Sequence, residues 1–534
     1  MAVGLPTAQV QGVQVVEAAA VPEEDNIKNI TTMIKYIPHV LMALLYALNT
    51  QAQSMDDLLR FVRPEMRGTA RYVAMGGAFN ALGGDLSAIK DNPAAAAVFL
   101  NSEVGITINS VDHQTAANYF DNSNSISSRS FDIDQFGIVL VTKNTTESEF
   151  VKLTFGYNYQ KERVFNHKFN AIGTNQSRGL DDYFLAYANG IPFKDIKTYD
   201  DESVSESYRY LGENIGFGAQ QAYLGYQSQV INPNSYEDDN IKYYSNSNPG
   251  GAFVDHNFFV THSGKNTKHS FNLSTQYQEN LYLGFNINSH QIEFRRIDNL
   301  IEKNYGSDST FNYTEFENDL FTSGEGFSFQ LGVLYKPLKN VRMGLSYQSP
   351  VWYQMKDELS QYIISSKSNG TDTFDPQITN IYEYSFSTPS ELSGGLAYVF
   401  GTKGLLSLQY DLVDYRNTSF NIKNGDVNFI NQNKKIEQTL TTAATLRLGA
   451  EYRINRLSLR TGFSKQESLH KSFEDNYISM SSGIGYDFGG SVLSLTLSKA
   501  EYKRTESMYQ VGLTDGIKIK NDQTHFLVSY VLKL

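Results

Sequence analysis

An all-β transmembrane antiparallel barrel, preceded by a small plug domain, is the fold class this sequence predicts, and three observations predict it. Apolar and polar residues alternate with period two over most of the chain from about residue 103. That alternation persists to the last residue. Before it stand a leader-like apolar run and a segment rich in Ala and Gly.

Composition sets the outer limits. The 534 residues include no Cys, one Trp, 35 Tyr, 33 Phe and 40 Gly. Without Cys there are no disulfides, thiolate nucleophiles, Cys-based zinc sites or iron–sulfur clusters. A formal charge of −12 and a pI of about 5.3, with no basic stripe, exclude nucleic acid as a partner. Mean hydropathy of −0.38 is too polar for a helical membrane bundle. A transmembrane barrel nonetheless reads as polar, because alternate strand residues face a wet lumen.

The apolar run Tyr36–Leu48 is too short to span a bilayer core of about 30 Å as a helix. With Lys35 before it and Asn49-Thr50-Gln51-Ala52-Gln53 after it, it fits a signal peptide over residues 33–53, starting at Met33 and cleaved near Ala52 or Gln53. Residues 1–32, with the acidic Glu23-Glu24-Asp25, are expected to be a non-native upstream extension.

Residues 54–101 form the expected plug. Asp85 is placed to cap a short helix, Leu86–Lys90, and Pro93 drives Asn92 out of the α region, so that helix should stop there. Gly76, Gly77, Gly83 and Gly84 permit tight backbone turns.

The barrel is expected over residues 102–534. In Gly326–Tyr335, Phe327, Phe329, Leu331, Val333 and Tyr335 share one face, and Ser328, Gln330, Gly332 and Leu334 the other. The same pattern recurs at Val341, Met343, Leu345 and Tyr347; at Leu446, Leu448, Ala450 and Tyr452; and at Leu493, Leu495 and Leu497. Phe526, Val528, Tyr530, Leu532 and Leu534 end the chain within a strand, as closure against the first strand requires. Tight reversals at Tyr335–Val341 and Tyr452–Leu457 are expected to face the periplasm, and a long polar loop over 165–270 to face outward. Within that loop, Leu180–Ile191 and Ala219–Val230 have helical spacing and are expected to cover the mouth.

The segment Gly68-Thr69-Ala70-Arg71-Tyr72-Val73-Ala74-Met75-Gly76-Gly77-Ala78-Phe79, followed by Asp85, Ser87-Ala88 and Asn92-Pro93-Ala94, resembles the plug of the FadL-type long-chain fatty-acid transporter family. Gly326–Pro337, Gly344–Pro350 and Leu446–Arg453 resemble strands of that family. The resemblance implies a barrel of about 14 strands in the outer membrane of a Gram-negative bacterium, acting as a monomer among outer-membrane lipids. It further implies a passive channel for long-chain fatty acids or other hydrophobic small molecules, gated by the plug and releasing its cargo sideways into the membrane. Asn92, Pro93, Ala94, Gly76, Gly77 and Phe79 become the candidate ligand and gate residues. Independently of the resemblance, Arg295 and Arg296, with Glu293 before and Asp298 after, read as a lumen or rim charge cluster balanced locally, or as candidate contacts for a carboxylate head group.

Enzymatic chemistry finds no foothold. No G-x-S-x-G, H-E-x-x-H or phosphate-loop motif occurs, and no catalytic residue, metal site or cofactor is expected. His256, His262 and His269, spaced six and seven apart, are read as outer-loop residues, and they keep a haemin-type receptor as an alternative. A second alternative is an outer-membrane scaffold or secretion-system partner of the same fold. Trp352 is expected either at an interface or packed within the barrel.

Overall fold

The computed structural model describes residues 55–534 apart from 64, 145–147, 200–201, 423–426 and 473–474. The expected extension and signal peptide lie outside the described residues. Among these residues no helix is long and apolar enough to cross a membrane, and the crossing is made by strands.

The strands close into a barrel of 14 staves. The first hairpin joins β1 (Glu103–Tyr119) to β2 (Asn122–Lys143). β3 comes in two pieces, Phe150–Val164 and His167–Asn175, both paired to β4 (Val254–Tyr277). β5 (Leu281–Lys303) and β6 (Phe311–Leu338) are long and unbroken.

The next three staves are interrupted. β7 (Val341–Gln348, then Trp352–Lys367) breaks around Pro350, and β8 (Asn380–Ser387, then Glu391–Val399) around Pro389. Proline has no N–H for the ladder, so pairing stops there. Val351 N–H donating to Thr388 Oγ1 at 2.9 Å and Thr388 N–H to Val351 O at 3.0 Å rejoin the two breaks. β9 (Gly404–Asp414, then Ser419–Phe420) is broken by a tight turn at Tyr415–Asn417.

β10 (Thr442–Ile454), β11 (Leu457–Gln466), β12 (Tyr477–Asp487), β13 (Ser491–Ser507) and β14 (Gly516–Lys533) complete the wall. β14 pairs with β1 from Glu103↔Lys533 to Asn118↔Lys518, which closes the barrel.

The period-two pattern sorts the wall as expected. On β6, Phe327, Leu331, Val333 and Tyr335 are exposed outside, while Ser328, Gln330, Gly332 and Leu334 are buried inside. Near the short-turn end, Tyr335, Tyr398, Phe400, Tyr452, Tyr486 and Phe488 all stand exposed, an interfacial girdle. Trp352 is exposed on the outer wall beside Phe327, ring centroids 6.5 Å apart.

At the opposite end the long excursion is shorter than the sequence suggests. It spans 176–253 rather than 165–270, because His167–Asn175 and Val254–Tyr277 are strand. Their lumen-facing residues are polar, and a polar stretch reads as loop. Inside the plug, α1 (Met55–Val62) and α2 (Ala70–Ala74) precede two 3-10 turns, Leu86–Lys90 and Pro93–Val98. Over the mouth lie α3 (Leu180–Ala188), α4 (Phe193–Ile196), α5 (Val204–Asn214) and α6 (Phe217–Gln227), and α7 (Val427–Thr439) leads into β10. Asp85 caps Leu86–Lys90 by accepting from Ser87 N–H, and Asn92 both ends that turn and caps the next by accepting from Ala94 N–H at 3.0 Å.

Candidate functional site

The plug has little regular structure, so its backbone donors and acceptors need partners from elsewhere. Polar residues on the inner wall supply them. Gln409 Oε1 accepts from Phe79 N–H at 3.0 Å and Asn80 N–H at 2.9 Å; Ser407 donates to Ala78 O at 2.6 Å; Asn286 donates to Ile89 O at 2.8 Å; Gln330 donates to Lys90 O at 2.6 Å. The inner face of the wall is therefore polar largely because it must dress an irregular chain.

The candidate gate residues are all part of this seating. Asn92 donates to Asn80 O at 2.8 Å and Val333 O at 3.1 Å, and Asn272 donates to Pro93 O at 2.9 Å. Pro93 and Asn92 press so closely on Gly284 and Gly332 that a Cβ at either glycine would overlap them. Gly76 and Gly77 turn the chain with φ of +62° and +71°, a region that L side chains rarely adopt. Phe79 is fully buried, stacked on Tyr72 at 5.4 Å. None of the six lines the cavity beneath the loop helices.

That cavity, of about 750 Å³, lies between α1 and the loop helices α3 and α6, a size suited to a small molecule. Leu59, Leu320, Leu359, Leu469, Tyr183, Tyr187, Phe217, Met508 and Val511 give it apolar surface. Charged side chains cluster on the remaining wall: Arg296 pairs with Asp298 at 2.8 Å, Arg504 with Glu506 at 3.0 Å, and Arg63 with Asp475. Of the two candidate head-group arginines the structure brings only Arg296 here. Arg295 faces outward, paired with Asp319 at 2.5 Å. Their adjacency on a strand already implied opposite faces.

The histidines are not in a loop. His256, His262 and His269 all lie on β4, the first two on its lumen face and His269 on its outer face beside Tyr157 and Tyr159. His256 Nε2 sits 2.9 Å from Glu302 Oε1, His262 Nδ1 is 2.7 Å from His167 Nε2, and His269 Nδ1 is 2.9 Å from Tyr157 Oη. Each is engaged with a different neighbour, and among the described residues no group of three or more His, Cys, Asp or Glu converges on one point.

One side of the barrel wall is incompletely paired. The ladder between β2 and β3 covers only Gln135↔Gln160 to Lys143↔Lys152. Toward the loop end, no ladder among the described residues joins β2 residues 122–134 to β3 residues 161–175. Both strands bulge where they part, Asp134 in β2 and Glu162 in β3, and bulges end pairing and redirect a strand. Arg163 and His167, on the β3 edge of this seam, also line the 750 Å³ cavity. The cavity thus reaches the β3 edge of the seam. No sequence signal marks it, because the bulged residues are ordinary acids in a polar stretch.

The lid is held by buried acids. Leu180 N–H, at the start of α3, donates to Glu302 Oε1 at 2.7 Å, and Tyr305 Oη donates to Glu302 Oε2 at 3.1 Å. Burial, then Glu302 and Asp182, push the neighbouring Asp181 carboxyl up to about 7. The docked lid therefore binds a proton that the undocked lid, with an ordinary carboxylate, releases near pH 4. Docking is expected to be strongest below about pH 4 and to weaken as pH rises toward 7. Hydrogen exchange of the α3 amides at pH 4.5 and pH 7.5 measures this, and Asp181→Asn should flatten the difference; an unchanged pH dependence in that variant would contradict the assignment.

No protein-family model and no curated protein matches the chain. A solved FadL homologue from Pseudomonas aeruginosa is 10% identical, with a TM-score of 0.50 over 88% of this chain and 99% of its own. Two toluene transporters, TodX of Pseudomonas putida and TbuX of Ralstonia pickettii, are 13% and 12% identical, with TM-scores of 0.46 and 0.45, each over 88% of this chain and 99% of theirs. At such identities the likeness is one of fold. Closed wall, apolar outer band and internal plug together give this chain the fold of the FadL-type outer-membrane β-barrels.

Proposed function

We propose that the chain is a passive outer-membrane channel for amphipathic hydrophobic molecules, long-chain fatty acids among them, which enter under the loop helices and leave sideways through the seam between β2 and β3. The observation that carries this reading is that the cavity extends to the β3 edge of the seam at Arg163 and His167, beside the stretch where β2 and β3 are not laddered. Leaving through the wall spares an apolar solute the polar inner face, and each buried CH₂ gains about 0.8 kcal/mol. The mixed lining of the cavity favours a molecule with an apolar body and an anionic head, the head taken by Arg296, Arg504 or Arg63. A monomer suffices for such a path, because both edges of the seam belong to one chain.

The test is lipid extraction and mass spectrometry of the detergent-purified protein, paired with uptake of a labelled fatty acid by cells with and without it. We expect an enriched amphipathic ligand and faster uptake. Neither enrichment nor a change in uptake would overturn the reading.

A further inference from the structure

The seam is unpaired but not empty at its foot. Plug residues Glu65, Arg67 and Gly68 lie across it and bond to both edges. On the β3 side, Glu65 N–H donates to the carbonyl of the bulged Glu162 at 3.2 Å, and Gln160 donates to Arg67 O at 2.6 Å. On the β2 side, the bulged Asp134 takes an ion pair from Arg67 Nη1 and accepts from Gly68 N–H at 3.1 Å. Arg67 Nε also donates to Glu65 Oε2 at 2.9 Å. Arg67 and Asp134 are both fully buried. Burial would raise the Glu65 carboxyl, but Arg67 and Arg163 outweigh it and hold it at about 2, so Glu65 stays charged. One step toward the loops, Lys161 Nζ and Asp132 Oδ1 meet directly across the seam at 2.6 Å.

Each bulge thus turns an acidic residue's carboxylate or carbonyl toward the plug at the height where strand pairing stops. A bulge needed only to bend the wall would not have to present its extra residue to the same three plug residues from both edges.

We propose that Arg67 is the latch of this seam: a positioning residue whose ion pair with Asp134 ties β2 to the plug segment bonded to β3, so that the seam widens for an amphipathic solute only when that pair parts. The inference rests on the sideways-release reading. Losing Arg67 leaves the buried Asp134 carboxylate without its counter-charge, and losing Asp134 leaves Arg67 paired with Glu65 alone; either change destabilises the closed seam more than the more accessible Lys161–Asp132 pair supports it.

The experiment uses the full chain, whose lack of cysteine lets introduced thiols be read without background. Ser130→Cys places a thiol on β2 beside the seam, and its reaction with a charged, membrane-impermeant maleimide reports opening. Arg67→Gln and Asp134→Asn should each speed labelling about tenfold or more, the effect of one lost charged hydrogen bond on a two-state opening. Arg67→Lys should stay close to the parent, and the exchanged pair Arg67→Asp with Asp134→Arg should restore slow labelling. Heat-modifiable migration in gels identifies the assembled barrels, and the exchanged pair remains informative where a single variant fails to assemble. Separately, Asp132→Cys with Lys161→Cys, bridged by a reducible bis-methanethiosulfonate, should cut uptake of a pyrene-labelled long-chain carboxylate, and reductant should return it.

Parent-like labelling of assembled Arg67→Gln and Asp134→Asn barrels, with uptake still blocked by the bridge, overturns the latch and leaves sideways release standing. Uptake indifferent to the bridge overturns sideways release, and the latch with it.

Discussion

Replacing Gly462 with valine is expected to expel the plug from the lumen while the barrel still assembles. Gly462 faces inward on β11, and a Cβ there would overlap the backbone nitrogen of Gly76 and the carbonyl carbon of Met75. Neither side has room to give. β11 is hydrogen-bonded along its length to β10 and β12, and Gly76 is fixed in a left-handed turn where a Cβ of its own would already abut Phe463 O and Leu448 O. Ordinary overpacking costs about 1–3 kcal/mol because side chains shift. Overlap with backbone on both sides exceeds that range, and the least costly escape is for the plug to leave. The outer apolar pattern, which drives closure and insertion, is untouched. Planar-bilayer recordings should then show a large open conductance, and added protease should cut the plug near Arg71. Gly394, where a Cβ would find no atom within 4 Å, serves as the control, and Gly394→Ala should behave as the parent. A closed barrel with a protected plug in Gly462→Val would mean that the contact yields more than its geometry permits.

The wall was legible in the sequence because its physics is local. A strand between lipid and lumen must alternate, and Phe327 to Tyr335 or Phe526 to Leu532 state that alternation without help from the rest of the chain. The broken staves were less legible. Pro350 and Pro389 mark their breaks only once the two staves are known to be neighbours, and β9 breaks with no proline at all. β4 was hidden for a different reason. Its inward residues His256, His262 and Asn266 meet polar partners in the lumen, so the sequence shows little contrast between faces.

The site lay further out of reach. Asn92, Gly76 and Phe79 carry the family likeness, yet they serve to seat the plug, whereas the cavity is lined by residues from α1, α3, α6 and many separate staves that no short motif unites. The seam is defined by hydrogen bonds that are not made. Only a three-dimensional ladder reveals where one stops. Among the plug elements, α2 belongs to the matched segment, but α1 resembles nothing in it, and its role follows from packing alone.

That packing makes α1 the second place where a single change should have a large effect. Met55, Leu58 and Phe61 repeat at helical spacing and are all buried against Phe165, Phe294, Tyr353, Met355 and Phe386 from the wall. Phe61 sits edge-on to Phe165 at 6.0 Å and to Phe294 at 5.8 Å, at the centre of the cluster. An eight-residue helix is too short to persist in water by itself, so its fold depends on this contact. Phe61→Ala should remove about 3–5 kcal/mol, comparable to the seating energy of the other two apolar side chains together at about 1.5–3 kcal/mol each. The polar ties that remain, among them Met55 N–H donating to Gln432 Oε1 at 3.3 Å, Asn266 to Phe61 O at 3.4 Å, Arg163 to Arg60 O at 2.7 Å and the largely buried Arg63–Asp475 pair, contribute about 1 kcal/mol per neutral hydrogen bond and do not by themselves keep so short a helix folded. We therefore expect α1 to leave its seat while the plug from Glu65 onward keeps its wall bonds. Fast hydrogen exchange confined to 55–62, with unchanged heat-modifiable migration, is the result that fits. Exchange rising equally in 65–99 would instead show that α1 and the rest of the plug are seated as one unit, and that the latch at Arg67 cannot move independently of the helix above it.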